Sequence, residues 1–168
     1  MNEPAQQQVF SDEEMLDGFQ LTEFVPYLLN QAMSRLDLSL REALKPFNIS
    51  IHQWRVMFMI HYQGPQSIGN ISAGTIMGQS TITRVADQLE KAKLARRSSV
   101  EANQRVVLLS LTDNGRDLIE EVIPRTFGVH EGAIEGFDKA GQKQMFQMLQ
   151  KLAANLRRHE AKQKFESV

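Results

Sequence analysis

Between Ser67 and Leu111 the spacing of apolar residues changes from three-and-four to two within one unbroken segment, SIGNISAGTIMGQSTITRVADQLEKAKLARRSSVEANQRVVLLSL. Such a change leaves few folds open, and it reads as helix, turn, helix and a two-stranded ribbon. Ile82, Val85, Ala86 and Leu89 recur at i, i+3, i+4 and i+7, which puts them on one buried helix face. Thr81, Arg84, Gln88 and Lys91 fall on another. Gly78 or Ser80 can cap the start of this helix, which should end near Ala92. The helix before it, from about Ser67 to Thr75, is short. Ser67 is its expected N-cap, and Ile68, Ile71 and Ala73 are expected to face inward. After Leu94 the pattern alternates: Val106, Leu108 and Ser110 against Val107, Leu109 and Leu111, as in a strand. Ser98 to Gln104 carries no apolar period beyond Val100 and reads as the turn at the ribbon tip.

The second helix opens with Gln79, Ser80, Thr81, Thr83 and Arg84. Short hydroxyl and amide side chains followed by a cation suit a helix end laid in the DNA major groove. Hydroxyls and amides meet phosphates and base edges there, and arginine meets phosphate or guanine. The ribbon is flanked by Lys93, Arg96, Arg97 and Arg105, as a wing lying against the DNA backbone or minor groove would be. Net charge supports this reading only through its distribution. The whole chain is at −1, but the first 34 residues hold six acids and no Lys or Arg, so the remainder has 19 basic and 14 acidic residues, a net of +5. From Arg84 to Arg105 six cations face Asp87, Glu90 and Glu101, a local electrostatic footprint.

The runs STITRVADQLEKAKLARR and NQRVVLLSLTDNGRDL resemble the winged helix-turn-helix of the MarR family of bacterial transcriptional regulators. Ser80, Thr81, Ile82, Thr83, Arg84, Asp87, Leu89 and Glu90 match that family's recognition-helix pattern; Leu111, Thr112 and Gly115 match its L-T-x-x-G element. The likeness extends from about Phe24 to Leu156 and includes Gln53-Trp54. It departs at the wing, where the usual Asp-x-Arg stands as Asn103-Gln104-Arg105. Arg105 keeps the cation, while Asn103 can hold it only by a hydrogen bond. The short helix carries Gly69 and Gly74, each costing about 1 kcal/mol against alanine, so it should be soft. The resemblance implies a ligand-responsive repressor, and a pocket between the helical dimer lobe and the reading head. It also implies release from DNA by a small aromatic carboxylate or phenolic effector. Arg35 and Arg41 are the candidate carboxylate partners; Trp54 and Phe58 are a candidate stacking wall, with His61 a polar contact.

The rest of the chain fits a mainly α protein with a small β wing, a winged helix-turn-helix lobe joined to a helical dimerisation lobe. Residues 1–20 are acidic and aperiodic and read as a mobile arm. From Leu21 to about Lys45 a helix carries Leu29, Met33, Leu36, Leu40, Ala43 and Phe47 in a stripe, with Pro26 in its first turn. Ser50 and Gln53 form a capping box for a helix from Ile51 to about Tyr62, apolar nearly all round and expected at the core's centre. Thr112 caps the helix after the wing, which Pro124 should kink rather than end. Asp138 caps a last helix, from Lys139 to about His159, with Met145, Met148, Leu149, Leu152 and Leu156 in its stripe. The dimerisation region is expected over 21–48 and 112–160, and the DNA-binding region over 49–111. These end helices have more apolar surface than one small lobe covers, which points to a homodimer on a palindromic site.

Other classes are poorly supported. No apolar run approaches the roughly 20 residues of a membrane span, and the polar start is unlike a signal peptide, so a cytoplasmic location is expected. With no cysteine, disulfides, thiolate metal sites and thiol redox sensing are excluded. His52 and His61 lack the spacing of a metal pair. No nucleophile–base pair or phosphate loop is present, so neither catalytic residues nor a cofactor are expected. The alternative is a winged-helix module that uses this fold to hold a protein partner without DNA.

Overall fold

The computed structural model describes residues 20–100 and 103–166, with side chains described over 20–99 and 107–161. The expected N-terminal arm thus falls outside the described residues, except for Gln20. The chain forms two compact units, Met1–Val122 and Ile123–Val168. In the first, helix α1 (Val25–Leu44) and α2 (Ile51–Gln63) precede a short strand β1 (Gln66–Ser67). Then come α3 (Ile68–Thr75), α4 (Gln79–Lys91), β2 (Ala95–Val100), β3 (Asn103–Leu111) and the start of α5 (Asp113–Ala133). The second unit holds the rest of α5 and α6 (Lys139–Glu166).

α1 begins later than the apolar spacing suggests. Leu21–Glu23 is a separate 3-10 turn, and Phe24 is extended. The cause is Pro26: in a helix begun at Leu21 its ring would meet the carbonyl of Thr22, whereas in the first turn it costs nothing. Lys45–Phe47 forms another 3-10 turn, and Asn48, at φ 53, ends it. Ser50 then starts α2 with a reciprocal capping box. Its hydroxyl accepts from the Gln53 N–H at 3.2 Å, and the Gln53 side chain accepts from the Ser50 N–H at 2.8 Å.

Three strands, not two, make the sheet, in the order β1-β3-β2 and all antiparallel. Gln66 lies opposite Leu109, and Ser67 opposite Leu108. A two-residue strand is too short to leave any periodic trace, which is why spacing alone yields a two-stranded ribbon. The expected turn over Ser98–Gln104 is also shorter. Ser98 pairs with Leu108, Ser99 with Val107, and Val100 with Asn103 after a register irregularity. Polar residues can pair through the backbone without any apolar alternation, and the wing is solvent-exposed at Ser98 and Ser99.

The core of the first unit gathers one side of each element. Ile82, Val85, Ala86 and Leu89 of α4 are all buried, against Val56, Met57 and Ile60 of α2, Ile71 of α3 and Leu109 and Leu111 of β3. Each fully buried aliphatic side chain contributes roughly 1.5–3 kcal/mol. Ala73, expected to face inward, is exposed. It lies two residues beyond Ile71, about 200° around the helix, so the two cannot share a face. Ser67 caps α3, accepting from the Asn70 N–H at 3.1 Å.

The joint between wing and α5 is tight. The Thr112 hydroxyl donates to the Lys93 carbonyl at 2.7 Å and accepts from the Gly115 N–H at 3.1 Å, while the Thr112 N–H donates to the Leu94 carbonyl at 3.1 Å. A Cβ on Gly115 would stand 1.9 Å from the Leu94 carbonyl oxygen, so the backbones can meet here only through glycine.

In the second unit α5 runs unbroken through Pro124 to Ala133. Asp138 caps α6, accepting from the Gly141 N–H at 2.7 Å, and α6 extends past His159 to Glu166. The His130 ring contacts Phe127 and stacks on Phe146, with centroids at 6.2 and 6.4 Å. Phe127, Phe137, Phe146, Met148, Leu149 and Leu156 are exposed.

Candidate nucleic-acid interface

The geometry of α4 follows from its buried stripe. With that face against the core, the opposite face turns outward at its N-terminal half: Gln79, Ser80, Thr83 and Arg84 are exposed and Thr81 is half-buried. Gly78 is the N-cap and contributes no side-chain acceptor to the first-turn N–H groups. The helix therefore presents its positive end together with hydroxyl, amide and guanidinium groups. The Thr83 hydroxyl donates to the Gln79 carbonyl at 2.8 Å, which fixes its rotamer while its lone pairs stay free to accept. Ahead of α4, the Ser72 hydroxyl donates to the Met77 carbonyl at 2.6 Å and holds the turn between α3 and α4.

Arg96 of β2 is exposed. Arg105 lies on β3, with its side chain outside the described residues. Arg97 faces inward instead. Its guanidinium pairs with Asp87 at 2.7 Å and with Glu90, and lies 3.5 Å from the Thr83 carbonyl; its backbone N–H donates to Glu90 Oε1 at 2.9 Å. Burial pulls the Arg97 pKa down, but the hydrogen bond to Asp87 and the charges of Glu90 and Asp87 together raise it above the ordinary arginine value. Arg97 thus fastens the wing to α4. The signal for this in the sequence is the pair of acids at Asp87 and Glu90, three apart on one helix face, followed by a strand with arginines at its second and third positions.

The candidate ligand residues lie apart. Trp54 and Phe58 contact each other at 5.3 Å between centroids, and Phe58 continues to Tyr62 at 4.7 Å, a ladder with one rung per helical turn. His61 meets Tyr62 edge-on at 5.0 Å and lines a cavity of about 180 Å³ with Ile60, Ser110 and Arg116. Arg41 lines a different, open cleft of about 600 Å³ with Lys45, Ser50 and Gln88. Arg35 is exposed on α1. Spacing alone did not single out Arg55, which binds Asp37 at 2.9 Å and ties α2 to α1. No helix among the described residues is long and apolar enough to cross a membrane.

Residues 49–107 match the model of the MarR family. The HTH-type transcriptional repressor IacR of Pseudomonas putida is 25% identical over 140 residues, which cover 83% of this chain and 84% of IacR. An uncharacterized HTH-type transcriptional regulator of Bacillus subtilis, YhbI, is 29% identical over 113 residues, 67% of this chain and 71% of YhbI. Among solved structures, Bordetella bronchiseptica BpsR superposes with a TM-score of 0.73 at 26% identity, covering 80% of this chain and 96% of BpsR. That structure is described as a mechanism for regulation of BpsR DNA binding by 6-hydroxynicotinic acid.

Proposed function

We propose that the chain is a MarR-family repressor that binds a palindromic double-stranded operator as a homodimer, a reading supported by the match of residues 49–107 to the model of that family. One observation carries this: α4 buries all four residues of its apolar stripe and turns Gln79, Ser80, Thr83 and Arg84 to solvent beside an uncapped helix start. In the major groove Ser80, Thr81 and Thr83 meet phosphates or base edges, Gln79 a base edge, and Arg84 a guanine or phosphate. Arg96 and Arg105 reach the backbone from the wing. Arg97 acts through Asp87 and Glu90, holding the wing at a set angle to α4. Exposed apolar residues supply a self-association surface in each unit: Leu28 and Leu38 on α1 in the first, Phe146, Leu149 and Leu156 on α6 in the second.

An effector of the aromatic-carboxylate or phenolic class releases the DNA. BpsR supports this class, since 6-hydroxynicotinic acid is a hydroxylated aromatic carboxylate. Trp54 and Phe58 offer stacking surface; His61 as polar contact and Arg35 or Arg41 as anion partner would have to be brought toward them, since His61 and Arg41 line separate cavities. About 1.4 kcal/mol of differential binding lowers operator affinity tenfold, so a weak preference for the released state suffices.

The experiment is selection of duplexes from a random pool by the purified full chain. The expected result is a palindrome with half-sites about one helical turn apart, bound with affinity that falls steeply as salt rises. On that duplex Arg84→Ala should lower affinity at least tenfold. Recovery of no sequence, together with salt-independent retention, overturns the reading.

A further inference from the structure

The turn between α3 and α4 contains a residue that the fold does not use. Ile76 closes α3 with φ 55 and ψ 32, in the left-handed region that L side chains rarely adopt. For a β-branched residue this conformation is an outlier. Ile76 is 94% exposed, the largest value among the large apolar residues whose side chains are described. A strained backbone is normally repaid by packing, and here no packing repays it. The strain is held from both sides. The Thr75 hydroxyl donates to the Ile71 carbonyl at 2.6 Å, and the Ser72 hydroxyl donates to the Met77 carbonyl at 2.6 Å, so the turn around Ile76 is pinned while its side chain stands in water. It stands three residues before Gln79, on the approach to the exposed end of α4.

We infer that Ile76 is a specificity-determining residue of the DNA interface, an apolar knob that meets a thymine C5-methyl group at the edge of the half-site. This rests on the DNA-binding reading above. The other groups on this end of α4 are polar and read hydrogen-bonding edges. The thymine methyl is read by apolar contact, for which this end of α4 otherwise offers only the small Cγ2 methyls of Thr81 and Thr83. A side chain that is dry on binding and wet when free gains affinity by losing water from both methyl surfaces.

The test is a cycle between protein and base. The wild-type chain and Ile76→Gly are measured against the selected operator, and against the same operator with each thymine in turn replaced by deoxyuridine, which lacks only the methyl. At one thymine per half-site the wild type should lose about fourfold for the missing methyl, while Ile76→Gly loses nothing further. Ile76→Gly relieves the left-handed strain, so its melting temperature should hold or rise, and weaker binding then cannot be laid to unfolding. Ile76→Ala, which keeps the Cβ and the strain, should behave as Ile76→Gly does in binding. If wild type and Ile76→Gly respond alike to every deoxyuridine, the inference is overturned and the DNA reading stands. If the wild type retains no duplex at all, both fall together.

Discussion

α4 and α6 both carry an apolar stripe, yet they meet it differently. α4 has 13 residues and buries Ile82, Val85, Ala86 and Leu89 within its own unit. α6 has 28 residues, and none of those with described side chains is buried; Phe146, Met148, Leu149 and Leu156 stand exposed. A helix whose stripe is covered by its own chain owes its stability to folding. On the homodimer proposed above, a helix whose stripe is left open owes it to association, and its stability should then depend on protein concentration. On that proposal, two helices of similar pattern belong to two different equilibria.

The largest effect expected from this contrast is at Leu89→Ala. The side chain is fully buried, so the loss should be about 3 kcal/mol in chemical denaturation, and the same at every protein concentration. In α6 the double variant Leu149→Ala and Leu156→Ala should act on self-association, costing about 1–2 kcal/mol in sedimentation equilibrium. If that variant instead loses stability by an amount independent of concentration, the contrast between the two helices is wrong. The smallest effect is at Arg97→Gln. The ion pairs are partly exposed, so about 0.5–1 kcal/mol is expected, with faster amide exchange in β2 and none in α6. Because the pairs raise the Arg97 pKa, its contribution is complete below the ordinary arginine value. It fades only as pH rises through the higher folded one. A denaturation series from about pH 6 to 9 should therefore show no step from this group; a step lost on Arg97→Gln would contradict the assignment.

Much of this architecture is legible in the sequence because α4 obeys its own period so strictly. Ile82, Val85, Ala86 and Leu89 define a face, and that face alone decides which side Gln79, Ser80 and Arg84 present. Capping by Ser50, Ser67, Thr112 and Asp138 is equally local, since each side chain answers an N–H three residues on. What periodicity misses is what depends on partners distant in sequence. β1 exists because Leu108 and Leu109 offer it a ladder. Arg97 turns inward because two acids of α4 lie within reach, and no count of charges along the wing distinguishes it from Arg96. The strain at Ile76 is hidden for a further reason: spacing carries no information on the sign of φ.

Gly115 has a consequence for how such a chain can diverge. Every other amino acid brings a Cβ, and a Cβ here collides with the Leu94 carbonyl. No other amino acid fits without moving the backbone, so the position has no neutral amino-acid replacement. The exposed positions Arg96, Ser98 and Ser99 on the wing strand carry no such barrier. Such chains can therefore drift along the wing while the joint beneath it stays fixed; on the DNA-binding role proposed above, changes of DNA preference would then accumulate without loss of the frame that holds the wing.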